Sequence, residues 1–154
     1  MNTNFEVLYD NKFPTALDSL FEIIDNLNEK FIDMGVKTRW TKLKYFTEYG
    51  FYIDSSDEQK NLFVGLWYEL WETKCYPFCL CLDWKNTRNN SLRYTFKEVL
   101  ANYNDSKIKF IDYNDYPNLV FQAEYFKGLI DNKELFNLIV KSLEALSFNL
   151  YFKK

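Results

Sequence analysis

The sequence predicts an α+β fold in which three helices pack on a mainly antiparallel sheet. Apolar residues recur at helical spacing in three segments, and apolar runs of strand length lie between these segments. The connections within the runs of strands are short enough for hairpins, which favours antiparallel pairing. We expect the order α-β-β-β-α-β-β-α in one globular domain over residues 1–154.

The composition excludes several classes of function. The absence of histidine rules out Ser-His-Asp and Cys-His catalysis and any metal site that needs an imidazole ligand. The four glycines lie far apart, so neither a P-loop nor a dinucleotide-binding fingerprint is present. No apolar run approaches the roughly 18 residues of a membrane span, and no signal peptide is visible, so we expect a cytoplasmic protein without membrane contact. Abundant Asn, Lys, Ile, Phe and Tyr are typical of AT-rich bacterial or phage genomes.

The middle of the sheet is predicted to be an antiparallel pair of strands within residues 61–85, joined by a turn at Thr73–Pro77. Both faces of the first strand are mostly apolar, which indicates that neither face lies fully in water. The second strand directs Phe78, Leu80, Leu82 and Trp84 to one face, and Cys79, Cys81, Asp83 and Lys85 to the other. We interpret Cys75, Cys79 and Cys81 as buried small apolar residues, because neither a histidine nor a second cysteine pair completes a zinc site.

The first helix is predicted over residues 15–34, with Pro14 in its first turn and Gly35 as its C-cap. Opposite its apolar stripe lies what we call the acidic ridge, which consists of Asp18, Glu22, Asp25, Glu29 and Asp33. A solvated helix face explains this pattern. The alternative is a binding surface about 22 Å long for a protein partner with a basic surface.

The remaining elements follow from similar signals. Residues 37–54 predict one or two strands, in which Arg39 and several lysines alternate with aromatic residues as in an edge strand. A second helix begins at Asn90 or Ser91, and Lys107–Tyr113 and Leu119–Phe126 are predicted strands around a turn at Asn114–Pro117. A third helix follows a capping box made by Asp131 and Glu134. A short strand at Phe5–Tyr9 is also predicted.

Aromatic residues make up 20% of the chain, and many tyrosines fall at the ends of elements or in turns. These tyrosines are Tyr9, Tyr49, Tyr113, Tyr116 and Tyr151. Exposed tyrosine is typical of binding faces, although bulky aromatics can equally fill the core. A small-molecule pocket beneath the tyrosines is a third possibility. The net charge of −3 and pI near 5.1 disfavour direct binding of nucleic acid.

The element order α-β-β-β-α-β, with the strand Cys79–Leu82 running into Asp83-Trp84-Lys85, resembles the core of the PD-(D/E)XK nucleases. The resemblance covers roughly residues 15–113 and implies that Asp83 binds magnesium and that Lys85 steadies the attacking water. The family also has an acid on the adjacent strand. The predicted turn places Asp83 opposite Leu66 or Trp67, so Asp54, Asp57 or Glu69 could supply this acid only through a bulge or a different register. Glu72-Thr-Lys74 is an alternative match to the same motif, with Glu in place of Asp.

These observations lead to two functional hypotheses. The first is a non-enzymatic protein-binding domain without a cofactor, which binds a partner with a basic surface through the acidic ridge. An inhibitor or regulator of a nucleic-acid-handling enzyme is the narrower form of this hypothesis. The alternative is a magnesium-dependent nuclease that uses Asp83 and Lys85 as catalytic residues.

Overall fold

The computed structural model describes residues 13–41, 48–57, 60–84, 90–103, 105–126 and 131–151. It confirms the α+β class, with helices on a six-stranded sheet whose described neighbours all pair antiparallel. The helices are α1 (Phe13–Asp33), α2 (Tyr68–Lys74), α3 (Asn90–Glu98) and α4 (Lys133–Ala145), with 3₁₀ turns at Val99–Asn102 and Ala123–Phe126. The strands are β1 (Thr38–Thr41), β2 (Glu48–Asp54), β3 (Lys60–Trp67), β4 (Phe78–Trp84), β5 (Ile108–Tyr113) and β6 (Tyr116–Phe121).

The strand order across the sheet is β1-β2-β3-β4-β6-β5. After β4 the chain passes through α3 and reaches the sheet edge as β5. A two-residue hairpin then returns β6 between β5 and β4. Both hairpin residues, Asn114 and Asp115, have positive φ values of 49° and 67°, as tight hairpin turns require. None of the described helices is long and apolar enough to cross a membrane.

The main hydrophobic core lies on one side of the sheet, which we call the covered face. Helices α1, α3 and α4 all pack there, as the single apolar stripe of each predicted. From α1 come Leu20, Ile24, Leu27 and Phe31; from α3 comes Phe96; from α4 come Leu135, Leu138, Ile139 and Leu143. Each fully buried side chain of this kind stabilises the fold by about 1.5–3 kcal/mol. Helix α1 ends as predicted, with Gly35 at a φ of 86° just beyond its last turn.

The central strands pair antiparallel, but the predicted turn at Thr73–Pro77 is wrong. Strand β3 ends at Trp67, and the next seven residues form α2, which terminates at Cys75 in the left-handed conformation (φ 66°). Within α2, Leu70 and Trp71 are both buried. The extra helix shifts the register, so Asp83 lies opposite Asn61 rather than opposite Leu66 or Trp67.

The last hairpin also differs from the prediction. Strand β6 spans Tyr116–Phe121, and Pro117 is therefore inside the strand instead of in the turn. The ladder between β4 and β6 runs only from Asn118 to Phe121, so the missing N–H of Pro117 removes no bond to β4. The Asp131–Glu134 capping box is not formed as predicted, because α4 begins after Asn132 while Asp131 accepts the N–H of Lys133 at 2.9 Å. The predicted strand at Phe5–Tyr9 lies outside the described residues.

The cysteines divide into two environments. Cys79 and Cys81 are buried thiols on β4, as predicted. Cys75 is exposed at the end of α2, so the prediction of burial was wrong for this residue. The reason is again α2, since its left-handed terminal residue lies at the surface and not in the middle of a sheet.

Candidate binding pocket on the open face of the sheet

The second side of the sheet carries a smaller apolar cluster, and we call it the open face. Of the described helices, only α2 contributes a side chain to this cluster, Leu70. Its buried sheet residues are Phe63, Cys79, Cys81 and Val120, and around them lie the half-buried Tyr52, Trp67, Tyr76, Ile111, Tyr113 and Tyr116. The aromatic surplus of the sequence is therefore partly in the core and partly on a second, less covered surface.

A pocket of about 200 Å³ opens on this face. Its aromatic walls are Tyr52, Phe63, Trp67 and Tyr116. Its polar walls are Glu48, Asn61 and Asp83, and Cys81 completes the lining. The pocket thus combines rings, two carboxylates and an amide, and none of these described lining residues is basic.

Two glycines leave side chains out of the open face of the central strands. Gly50 of β2 lies directly opposite Gly65 of β3, and both are open-face positions by strand alternation. A Cβ atom on Gly50 would stand 2.2 Å from the carbonyl oxygen of Val64, and one on Gly65 would stand 2.3 Å from that of Tyr49. The close approach of the two backbones therefore depends on glycine at both positions and leaves a gap in each row of open-face side chains.

Neighbouring side chains lean over this gap. The hydroxyl of Tyr52 donates to the Glu48 carboxylate, with both oxygens at 3.0 Å. Trp67 contacts Tyr113 and Tyr116 edge-to-face, with ring centroids 5.2 and 6.3 Å apart. These contacts fix the rings before any ligand binds, which reduces the conformational entropy lost on binding.

The pocket has a negative electrostatic character. Burial raises the pKa of Asp83. Burial, together with the charges of Asp83 and Glu48, raises the pKa of the Cys81 thiol to about 12. Burial and the Glu48 carboxylate likewise raise the pKa of Tyr52. At neutral pH the thiol and the phenol are therefore neutral.

Two amide oxygens on this face are buried and accept no hydrogen bond from the described part of the chain. They belong to Asn61 and Asn118. Asn118 is fully buried beside Cys81 and donates its own N–H to the carbonyl of Tyr116 at 3.0 Å. An unsatisfied buried acceptor costs about 1–3 kcal/mol, so these groups lower the stability of the unliganded protein. Asn61 lines the pocket, and its Oδ1 is enclosed by protein atoms.

Arg39, a basic group beside the pocket, already has a partner. Arg39 donates to both oxygens of Asp54, at 2.5 and 2.8 Å, and its guanidinium lies 4.6 Å from the centre of the Tyr52 ring. The hydrogen bond to Asp54 raises the pKa of Arg39. Arg39 therefore borders the pocket and its charge also interacts with Glu48, while the described residues that line the pocket place no basic group beside Asp83.

The acidic ridge lies on the far side of α1 from the core. Glu22, Glu29 and Asp33 are exposed, as predicted for either interpretation of the ridge. Asp25 is half-buried and accepts a hydrogen bond from the hydroxyl of Tyr49 at 2.8 Å, so it also joins α1 to the sheet. The side chain of Asp18 lies outside the described residues.

The residues of the nuclease hypothesis are placed as follows. Asp83 lines the pocket, whereas Lys85 lies outside the described residues. The three candidates for the further acid are engaged elsewhere: Asp54 with Arg39, Asp57 with Lys60 at 3.5 Å, and Glu69 with Tyr113 at 3.2 Å.

The rival pair Glu72 and Lys74 is on α2 and not on a strand, so residues two apart there do not share a face. Within the described part of the chain, no three His, Cys, Asp or Glu side chains are grouped to hold a metal ion. The magnesium-dependent nuclease stays a prediction.

Most of the pocket does not follow from the sequence as a unit. Strand alternation predicts that Cys81 and Asp83 share one face, and Tyr116 is among the tyrosines at element ends, but no sequence pattern connects these residues with Asn61 or Glu48. Two signals were present: a polar Asn61 at the start of an apolar strand, and glycines inside two neighbouring strands. No protein-family model, curated protein or solved structure matches this chain.

Proposed function

We propose that this chain is a non-enzymatic protein-binding domain of the cytoplasm and that its recognition surface is the open face of the sheet. The observation that carries the proposal is the group of half-exposed rings around the pocket, namely Tyr52, Trp67, Tyr113 and Tyr116. Tyrosine and tryptophan dominate binding hot spots because they offer a large contact area at a small entropic cost. The edge-to-face contacts of Trp67 make this surface rigid in advance.

The charges of the pocket favour a partner with a basic surface. Glu48 and Asp83 bring two carboxylates to a face that also carries apolar rings, and the whole chain has a net charge of −3. Direct binding of nucleic acid is disfavoured, since its phosphates would meet these carboxylates. Enzymes that act on nucleic acids carry basic surfaces. An inhibitor or regulator of such an enzyme, in a bacterium or phage, is the narrower form of this proposal.

The acidic ridge is the rival surface for the same partner. Because α1 packs on the covered face and the ridge points away from the core, the ridge and the open face lie on opposite sides of the sheet. Substitutions on one surface should therefore leave the other intact. This separation allows the two surfaces to be tested independently.

The test is capture of a partner from extracts of the source cell by the immobilised chain and by two variants. Trp67→Ala should reduce capture at least about 10-fold, as loss of a central aromatic residue does in other interfaces. The matched variant with Glu22, Glu29 and Asp33 all changed to Lys should retain it. Asp25 is left unchanged because of its hydrogen bond to Tyr49. Urea unfolding should establish that both variants are folded before capture is compared.

Three results would contradict the proposal. Loss of capture only in the ridge variant would move the recognition surface to α1. Failure of the wild-type chain to retain any partner would remove the protein-binding function itself. Magnesium-dependent cleavage of plasmid or single-stranded DNA that disappears in Asp83→Ala would establish the nuclease instead.

A further inference from the structure

We infer that the pocket on the open face binds the guanidinium group of an arginine side chain supplied by the protein partner. This inference rests on the proposed protein-binding function and adds the chemistry of the contact. Four features of the pocket support it: its size, its carboxylates, its aromatic walls and its unsatisfied amide.

The size of the pocket suits one extended side chain. Its volume of about 200 Å³ lies below the roughly 300–1,000 Å³ of pockets that enclose drug-sized ligands. A folded element such as a helix would need a groove and not a pocket of this volume. A single side chain that projects from a partner surface can enter it.

The charges select a cation. Glu48 and Asp83 line the pocket, and among the lining residues described there is no Lys or Arg to balance them. Asp83 is partly desolvated, so a cation that enters beside it compensates for the water that the carboxylate has lost. An anionic ligand would face repulsion from both carboxylates.

The walls favour a planar cation over a compact one. Phe63, Trp67 and Tyr116 present aromatic rings, and a guanidinium stacks on such rings more readily than an ammonium does. The chain itself contains this arrangement at the margin of the pocket, where the guanidinium of Arg39 lies 4.6 Å from the Tyr52 ring and bonds to Asp54. A second guanidinium inside the pocket would repeat the combination of ring and carboxylate.

The unsatisfied amide supplies a specific hydrogen-bond acceptor. Asn61 lies directly opposite Asp83 in the β3–β4 ladder, and the Cβ atoms of such pairs are about 4.5–5.5 Å apart. The buried Oδ1 of Asn61 accepts no hydrogen bond within the described structure. Once the Asn61 amide turns its enclosed oxygen toward the ligand, two neighbouring acceptors, one charged and one neutral, match the two parallel N–H groups on an edge of a guanidinium. An ammonium donates from one point and matches this pair less well.

The probe for the test is arginine blocked as its N-acetyl methylamide, titrated into the ¹⁵N-labelled full chain and followed by NMR. We expect saturable shifts of the Trp67 indole N–H, while the indole of Trp84, whose residue belongs to the covered face, stays in place. The citrulline analogue has nearly the same shape without the charge and should bind at least 10-fold more weakly. The lysine analogue should fall between the two.

Variants connect the binding to the named residues. Asp83→Asn should weaken binding of the arginine probe at least 10-fold, and Asn61→Leu should reduce the preference for arginine over lysine. Glu98→Gln, on the exposed side of α3, is the matched control and should bind as the wild type does. Equal affinity for the citrulline and arginine analogues, or an unchanged affinity in Asp83→Asn, would overturn the inference.

The outcomes also separate this inference from the proposed function. If the arginine probe does not bind but Trp67→Ala still loses the protein partner, the open face remains the recognition surface and only the arginine inference fails. If the probe binds as expected but Trp67→Ala retains the partner, the proposed recognition surface fails. Shifts of Trp67 that depend on protein concentration without any probe would identify a second copy of the chain as the occupant and overturn the inference.

Discussion

The two faces of the sheet are built by the same strands and differ in almost every chemical respect. Strand β4 places Phe78, Leu80 and Leu82 on the covered face, where all three are fully buried beneath helices. The alternating residues of the same strand, Cys79, Cys81 and Asp83, face the other way. Both faces carry Trp and Tyr, but aliphatic residues and Phe dominate the covered face, whereas the open face brings the carboxylates and amide of the pocket next to its rings.

This difference indicates a division of roles within the sheet. The covered face holds nearly all of the large, fully buried side chains that stabilise the fold. The open face retains groups that lower stability, namely the desolvated Asp83 and the oxygens of Asn61 and Asn118, which no described group satisfies. On the covered face, the buried indole N–H of Trp84 likewise has no partner among the described residues. Polar groups held at such a cost are typical of binding sites, where a ligand completes their interactions.

The largest predicted difference in stability is between alanine substitutions of two adjacent residues of β4, one on each face of the sheet. Leu80→Ala, on the covered face, should lower the free energy of unfolding by about 2–5 kcal/mol, because it leaves a cavity in the main core. Cys81→Ala, on the open face, should lower it by no more than about 1 kcal/mol. Urea unfolding followed by circular dichroism measures both. Equal losses would show that the open face contributes to stability as the covered face does.

The next largest loss of stability is expected at the glycine pair that joins β2 and β3. Gly65→Ala should lower the free energy of unfolding by about 2–3 kcal/mol, since Gly65 has a φ of 151° and a Cβ there would clash with the carbonyl of Tyr49. Gly35→Ala at the end of α1 is the control for positive φ alone and should cost about 1 kcal/mol. A Gly65→Ala protein as stable as the Gly35→Ala protein would mean that β2 and β3 can separate without penalty.

The covered face was predictable from the sequence because its signals are local. The apolar stripes of α1, α3 and α4 repeat over two or more turns, and the alternation of β4 assigned every described residue of that strand to its face. These patterns depend only on the geometry of one helix or one strand. The outer position of Glu22, Glu29 and Asp33 followed from the same periodicity.

The open face was less predictable because it depends on how strands meet. The run from Trp67 to Trp71 is apolar enough for either a strand or a buried helical turn. The sequence prediction continued the strand through this run and therefore lacked α2. That choice moved the predicted partner of Asp83 from Asn61 to Leu66 or Trp67. The contact of Gly50 with Gly65 likewise depends on the pairing of β2 with β3, which no single segment encodes.

A smaller loss of stability is expected when the hydrogen bond between α1 and the sheet is removed. Tyr49→Phe removes the hydrogen bond that the hydroxyl donates to Asp25 at 2.8 Å and should lower the free energy of unfolding by about 1 kcal/mol. Burial and Asp25 raise the pKa of Tyr49 to about 12. The stabilisation is therefore fully present below about pH 10, where the tyrosine of the unfolded chain ionises, and is lost as the pH rises through about 12.

Urea midpoints at pH 8 and pH 11.5 measure this dependence, and the difference between wild type and Tyr49→Phe should shrink at the higher pH. Tyr94→Phe is the matched control, because Tyr94 is 67% exposed and its loss should change stability by less than about 0.5 kcal/mol. A Tyr49→Phe loss that stays constant up to pH 11.5 would contradict the raised pKa.

The smallest predicted change in the free energy of unfolding is an increase, and it comes from substitution of a pocket residue. Burial raises the pKa of Asp83 in the folded chain, so folding favours the protonated carboxyl and loses stability as the pH rises through that pKa. Asp83→Asn should therefore raise the free energy of unfolding at pH 7, by less than about 1 kcal/mol because the carboxylate is partly exposed and screened. At about pH 3, below the pKa of the unfolded carboxyl, the difference should disappear.

Asp112→Asn is the control, since Asp112 forms an exposed ion pair with Arg93 at 2.8 Å and its loss should slightly lower stability at pH 7. A less stable Asp83→Asn protein at pH 7 would mean that the native structure already compensates the carboxylate, and the pocket would then have no need of a cation. A more stable Asp83→Asn protein that no longer binds the arginine probe would show that this carboxylate is retained for binding at the expense of the fold.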